Sequence, residues 1–108
     1  MSPWLLLAFS IIAEVAGTVL LKFSNGFSKI LPTVAMGLCY LAAIWLMGLV
    51  TKKIEIGITY AIWAGAGTAV TALMGVFLFS ESFSTMKVVG VLCIVMGVVF
   101  LNLAQNNV

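Results

Sequence analysis

The stretch Leu5-Leu-Leu-Ala-Phe-Ser-Ile-Ile-Ala-Glu14-Val-Ala-Gly-Thr-Val-Leu-Leu21 decides the fold, because it is uniformly apolar or small apart from one carboxylate. An α-helix rises ~1.5 Å per residue. A helix beginning near Pro3 therefore carries Glu14 roughly 15 Å inward, close to the midplane of a hydrocarbon core about 30 Å thick. Translocon scales put the cost of an Asp at such a helix centre at about 2.5–3.5 kcal/mol. The chain has three acidic residues in all, and one stands where an ionised carboxylate is least stable. An intramembrane acid of this kind binds a proton, a cation, or each in turn. The competing reading is a structural acid paired with a lysine, but every lysine lies near a helix end and none at matching depth.

Composition points the same way. Of 108 residues, 64% are hydrophobic and 7% charged, against roughly 25% charged in a soluble domain. The chain reads as an integral membrane protein with little outside the bilayer. A net charge of +2 gives no argument for nucleic acid. With neither His nor Asp, most metal sites and hydrolytic triads are excluded, and no cofactor is implied. An enzyme is not expected, for want of a nucleophile and base together. Cys39 and Cys93 fall inside apolar runs and read as small packing residues, not a disulfide. The first apolar run lacks a basic leader and exceeds a signal core, so it reads as a retained span.

Four apolar segments emerge, at about 3–21, 30–50, 56–79 and 86–103, making residues 1–108 a single four-helix transmembrane domain. Ser2 can cap the first helix, and Pro3 at its first position loses no hydrogen bond. Ser24-Asn25-Gly26 is a turn cluster. Thr51-Lys52-Lys53 ends the second segment, and Ser84 can cap the fourth. The tail from Gln105 to Val108 is short and polar. Each segment is long enough to span with some tilt.

With four spans, both termini share a side. That side holds Lys52 and Lys53; the other holds Lys22, Lys29 and Lys87. So small a bias gives a weak orientation signal, and the chain is expected to insert both ways up. One such chain cannot easily enclose a water-filled path. Two copies in opposite orientations would form an inverted repeat, an architecture many transporters build into one chain. The expected assembly is an antiparallel homodimer of all-α chains in the lipid bilayer.

On the first helix, Glu14 shares a face with Ser10, Gly17 and Thr18. Small residues there also suit close helix packing. On the third, Tyr60, Trp63 and Gly67 share a face, and aromatic faces attract cations by up to ~2 kcal/mol or more when desolvated. Tyr60 and Trp63 could instead be interfacial anchors, although Trp63 lies two turns inside its helix. Tyr40, midway along the second helix, is a third wall whose hydroxyl needs a partner, Glu14 being one candidate. Gly65-Ala66-Gly67 reads either as a hinge or as a close-packing site. Gly90, Cys93 and Gly97 form a small-residue face assigned to the dimer interface. The lysines reach for headgroups, and Glu55 and Glu81 lie in solvated connections.

Ala13-Glu14-Val15-Ala16-Gly17-Thr18, then Leu21-Lys22-Phe23-Ser24-Asn25-Gly26-Phe27, with Gly57-Ile58-Thr59-Tyr60-Ala61-Ile62-Trp63-Ala64-Gly65-Ala66-Gly67, resemble the small multidrug resistance transporters across essentially the whole chain. The resemblance implies an antiparallel, dual-topology homodimer in a bacterial inner membrane. It implies that both copies of Glu14 bind either protons or a cationic substrate, giving proton-coupled export. It also implies that Tyr60 and Trp63 line the site, that Tyr40 contributes, and that Gly65 to Gly67 kink the third helix. Guanidinium exporters of this family usually carry Trp at the position of Gly17 and Ser at that of Ala43. Gly17-Thr18 looks like the branch exporting quaternary ammonium and aromatic cations, the glycine leaving room for a bulky substrate. Ala43 departs from the Ser of many members and removes a hydroxyl near the acid.

The expected mechanism is competition of protons and small organic cations for one carboxylate. The alternatives are a guanidinium exporter of the same family, a structural or regulatory membrane subunit, and a proton-carrying rotor subunit. Four spans and the Tyr60/Trp63 wall argue against the last. The lysine distribution yields a direct prediction. Single cysteines placed at positions 29 and 53 will each be labelled in cells from both sides of the membrane; labelling from one side only at both positions contradicts it.

Overall fold

A computed structural model describes residues 2–106. It contains four helices: α1 (Pro3–Phe23), α2 (Ile30–Val50), α3 (Ile56–Phe79) and α4 (Thr85–Asn106). Each is long and apolar enough to cross a membrane. Helices suit such a setting because they satisfy their own backbone hydrogen bonds where no water can. The chain divides into two compact units, Met1–Lys53 and Ile54–Val108. Asn107 and Val108 of the polar tail lie outside the described residues.

In the first unit, Ser2 caps α1, its side chain accepting from the Trp4 N–H at 3.2 Å, with Pro3 in the first turn. The helix runs to Phe23, two residues past the apolar segment, because Ser24 closes it. The Ser24 N–H donates to Leu20 O at 2.9 Å, and its hydroxyl donates to Leu21 O at 2.7 Å. The same Oγ accepts from Phe27 N–H at 3.1 Å, while Ser24 O accepts from Lys29 N–H at 3.1 Å. Ser24 is fully buried as the hub of this turn. Asn25, Gly26 and Phe27 all have positive φ, at 49°, 67° and 68°. Asn and Gly tolerate that region; a bulky residue such as Phe enters it only when its neighbours fix the turn. The turn returns α2 antiparallel against α1. The pairs Ser10–Ala43 and Thr18–Tyr40 follow, one number rising as the other falls. Leu7, Val15, Ala43 and Val50 are buried, whereas Ile12, Leu31, Leu38 and Ile44 are exposed, as lipid-facing side chains would be.

In the second unit, α3 begins as Thr59 N–H donates to Glu55 O at 2.8 Å. It ends at Ser80 in the left-handed conformation, φ 53°, the Glu81 N–H reaching back to Gly75 O at 3.2 Å. The Glu81 side chain lies over Gly75, where any Cβ would collide with its carboxylate. Ser84 caps α4, its hydroxyl accepting from Lys87 N–H at 3.2 Å. This helix continues to Asn106, three residues past the apolar segment. Asn106 Nδ2 donates to Asn102 Oδ1 at 3.3 Å, and Gln105 Oε1 accepts from Glu55 N–H at 3.4 Å. Polar residues that bond one another carry the last turn beyond the apolar run.

The α3–α4 pair is also antiparallel. Gly65 sits where a Cβ would be 3.0 Å from Val98 Cγ2 and 3.2 Å from Ile94 Cγ2. α3 is helical throughout Gly65-Ala66-Gly67, and at Gly65 the missing side chain lets α4 come close. Gly67 is buried. α4 has no buried residue of its own. Gly90 and Cys93 are exposed, and a Cβ at Gly90 or Gly97 would meet nothing within 4 Å. Overpacking at a close approach like that of Gly65 costs typically about 1–3 kcal/mol. Gly65→Ala is therefore expected to lower unfolding stability in detergent by that order, and Val98→Ala in the same chain to recover most of it. An unchanged Gly65→Ala chain contradicts the close approach.

Candidate functional site

Helical periodicity brings Glu14 and Thr18 one above the other on α1. Thr18 Oγ1 lies 3.1 Å from Glu14 Oε1 and 3.0 Å from the Glu14 carbonyl oxygen, one turn back. It also lies 2.8 Å from Tyr40 Oη on α2. Thr18 thus joins the acid to the tyrosine; the two do not need to touch. Glu14 Oε2 is buried with no hydrogen-bond partner. A buried acceptor without a donor is costly, and it is the position a proton or cation would fill. A cleft of about 460 Å³ opens beside Thr18, lined further by Leu21, Lys22, Asn25 and Gly26.

Ser10, one turn on the other side of Glu14, does not face the acid. It is fully buried and donates to Ala43 O at 2.7 Å. Ala43 is itself fully buried. The hydroxyl absent from position 43 has a counterpart at position 10, directed at the backbone. Gly17 is buried, and the space above it is taken: a Cβ there would stand 2.7 Å from Tyr40 Cδ1 and Cε1. The room that the sequence assigns to a substrate is filled by the Tyr40 ring.

In the second unit Tyr60 and Trp63 pair at 5.9 Å between ring centroids, with 52° between planes. Tyr60 is 58% exposed, so its ring is available as a surface. Trp63 Nε1 is buried without an acceptor. An indole N–H is a donor only, so this group, like Glu14 Oε2, has unused hydrogen-bonding capacity. No group of three or more His, Cys, Asp or Glu side chains is placed to hold a metal among the described residues.

The Ser10–Ala43 bond and the seating of Tyr40 on Gly17 escape a helix-by-helix reading. An available signal is the short turn, which makes α1 and α2 an antiparallel hairpin and pairs early α1 with late α2 to within about a turn.

Four apolar helices with an acid held on one of them define a small multi-pass membrane protein. A family model described as Small Multidrug Resistance protein matches residues 2–104, and the chain belongs to that family. Its relatives include the nicotine metabolites export pump subunit NepA of Paenarthrobacter nicotinovorans, 48% identical over 96% of this chain and 90% of that one. The multidrug transporter EmrE of Escherichia coli (strain K12) is 38% identical over 99% of this chain and 97% of its own. The quaternary ammonium compound-resistance protein QacH of Staphylococcus saprophyticus is 36% identical over 93% and 94%. These three relatives are named as a pump subunit, a transporter and a resistance protein.

The Ser10 hydroxyl bond is a test of how α1 is held to α2. A buried hydrogen bond contributes about 0.5–1.5 kcal/mol net. Ser10→Ala is expected to lose that much in reversible unfolding in detergent, and an unaltered stability would show that the contact holds nothing.

Proposed function

We propose that this chain exports hydrophobic, aromatic and quaternary ammonium cations in exchange for protons, Glu14 taking each in turn. The supporting observation is the asymmetric state of the acid. Thr18 holds Oε1, while Oε2 is buried and unpartnered. One carboxylate cannot hold a proton and pair fully with a cation at once, so occupation by either displaces the other. Tyr60 and Trp63 offer aromatic faces to the same class of cation. The names of EmrE and QacH, a multidrug transporter and a quaternary ammonium resistance protein, support this substrate class.

The proposal extends to the assembly. Residues 1–108 act as one four-helix transmembrane domain, and two copies pair antiparallel in a bacterial inner membrane. α4, which has no fully buried residue, supplies the contact between copies through Gly90, Cys93 and Gly97, and Gly65 and Gly67 flex as access alternates. Proton entry from one side then drives cation exit from the other. A partner chain of the same family is the second reading, favoured by the 48% identical relative being named a pump subunit.

The test uses this chain alone, purified in weakly buffered detergent near neutral pH. Addition of tetraphenylphosphonium is expected to release protons, and Glu14→Gln to abolish the release. Release with guanidinium alone would move the chain to the guanidinium exporters. Silence with both, from folded protein, would contradict proton exchange by this chain on its own.

A further inference from the structure

The contact between Gly17 and Tyr40 changes what the glycine does. A Cβ at position 17 would stand 2.7 Å from two ring carbons and 3.3 Å from Cys39 Cβ, so no side chain fits there while the Tyr40 ring keeps its place. The ring rests on the bare backbone of α1. Resting there, it presents its hydroxyl to Thr18 at 2.8 Å. Thr18 is the next residue, and its hydroxyl is the one that reaches Glu14.

Proton counting fixes the direction of this chain. A threonine hydroxyl has one proton, and an ionised carboxylate only accepts. With Glu14 charged, Thr18 donates to Oε1, and Tyr40 must then donate to Thr18. With a proton on Oε1, the acid can donate to Thr18. The Thr18 proton then turns to Tyr40 Oη or to the Glu14 carbonyl oxygen, which lies 3.0 Å away. Linked hydroxyls polarise one another, so the seated tyrosine supports the form of Glu14 that pairs with a cation. Unseated, it leaves the Thr18 proton free to fall back on the helix carbonyl.

We propose that Gly17 governs cation binding by seating Tyr40. It is a positioning residue that acts through the Tyr40 and Thr18 hydroxyls on Glu14, and what it provides is contact with a ring and not an empty space. This rests on Glu14 being the cation site.

The test is equilibrium binding of tetraphenylphosphonium to the purified full chain across a range of pH. Gly17→Ala, Tyr40→Phe and Thr18→Val are each expected to weaken binding roughly tenfold, the loss of one hydrogen bond to a charged group. Any two combined should weaken it no further than one, and all three should alter the pH dependence alike. Thr18→Ser keeps the hydroxyl and should recover most of the binding that Thr18→Val loses. Gly48→Ala, whose new Cβ meets nothing within 4 Å, should also bind normally. Losses that add in the pairs, full binding by Tyr40→Phe, or an equal loss in Gly48→Ala would overturn the inference. If Gly17→Ala does not fold, Tyr40→Ala removes both ring carbons that stand 2.7 Å from the new Cβ, and leaves only Cys39 Cβ at 3.3 Å to give by a few tenths of an ångström. Gly17→Ala added to Tyr40→Ala should then fold and bind no more weakly than Tyr40→Ala alone, and a further loss would overturn the seating. Failure of the unaltered chain to bind or release protons would instead remove the Glu14 reading itself, before any variant is compared.

Discussion

An acid inside an apolar helix needs something to hold it, and here the Thr18 hydroxyl does so. It stands 3.1 Å from Glu14 Oε1 and 2.8 Å from Tyr40 Oη. The remaining geometry of the hairpin serves that meeting. Gly17 lets the ring approach, Ser10 fastens α1 to Ala43 one turn below, and Ser24 sets the turn. None of these contacts is large in energy, since a typical hydrogen bond contributes about 0.5–1.5 kcal/mol net. Their value is positional, because they leave the second carboxylate oxygen buried and without a hydrogen-bond partner.

The two units rely on glycine in the same way. At Gly17 the absent side chain admits an aromatic ring, and at Gly65 it admits Val98 and Ile94 of α4. Membrane helices gain little from hydrophobic association with each other, because lipid is as apolar as their side chains. Close van der Waals approach takes over that role. The exposed faces accordingly carry large apolar residues such as Leu31, Phe77 and Met86.

Much of this was legible in the sequence. Length and apolarity place four spans, and a period of 3.6 residues puts Glu14 and Thr18 on one face. Ser2, Ser24 and Ser84 mark helix ends because a short hydroxyl side chain can satisfy orphan backbone groups. What was not legible depends on which helix meets which, and at what height. Gly17 reads as open room until Tyr40 is set against it. Ser10 reads as a group facing the acid until Ala43 O is found at 2.7 Å. The end of α1 at Phe23 runs past its apolar segment because Ser24 caps it there, and α4 is helical beyond its apolar segment as far as Asn106, the last described residue, with a polar side-chain bond along its last turn.

Among the described residues, the hydrogen-bond partners of the Glu14 and Thr18 side chains lie in the first unit, on one hairpin closed by the Ser24 turn. The hydroxyl relay that holds the acid is therefore written in one contiguous half of the sequence. That half is a natural cassette for building chimaeras between family members: a single splice near Lys53 transplants the carboxylate together with the hydroxyl relay that holds it, while the Tyr60–Trp63 aromatic pair stays with the recipient's half.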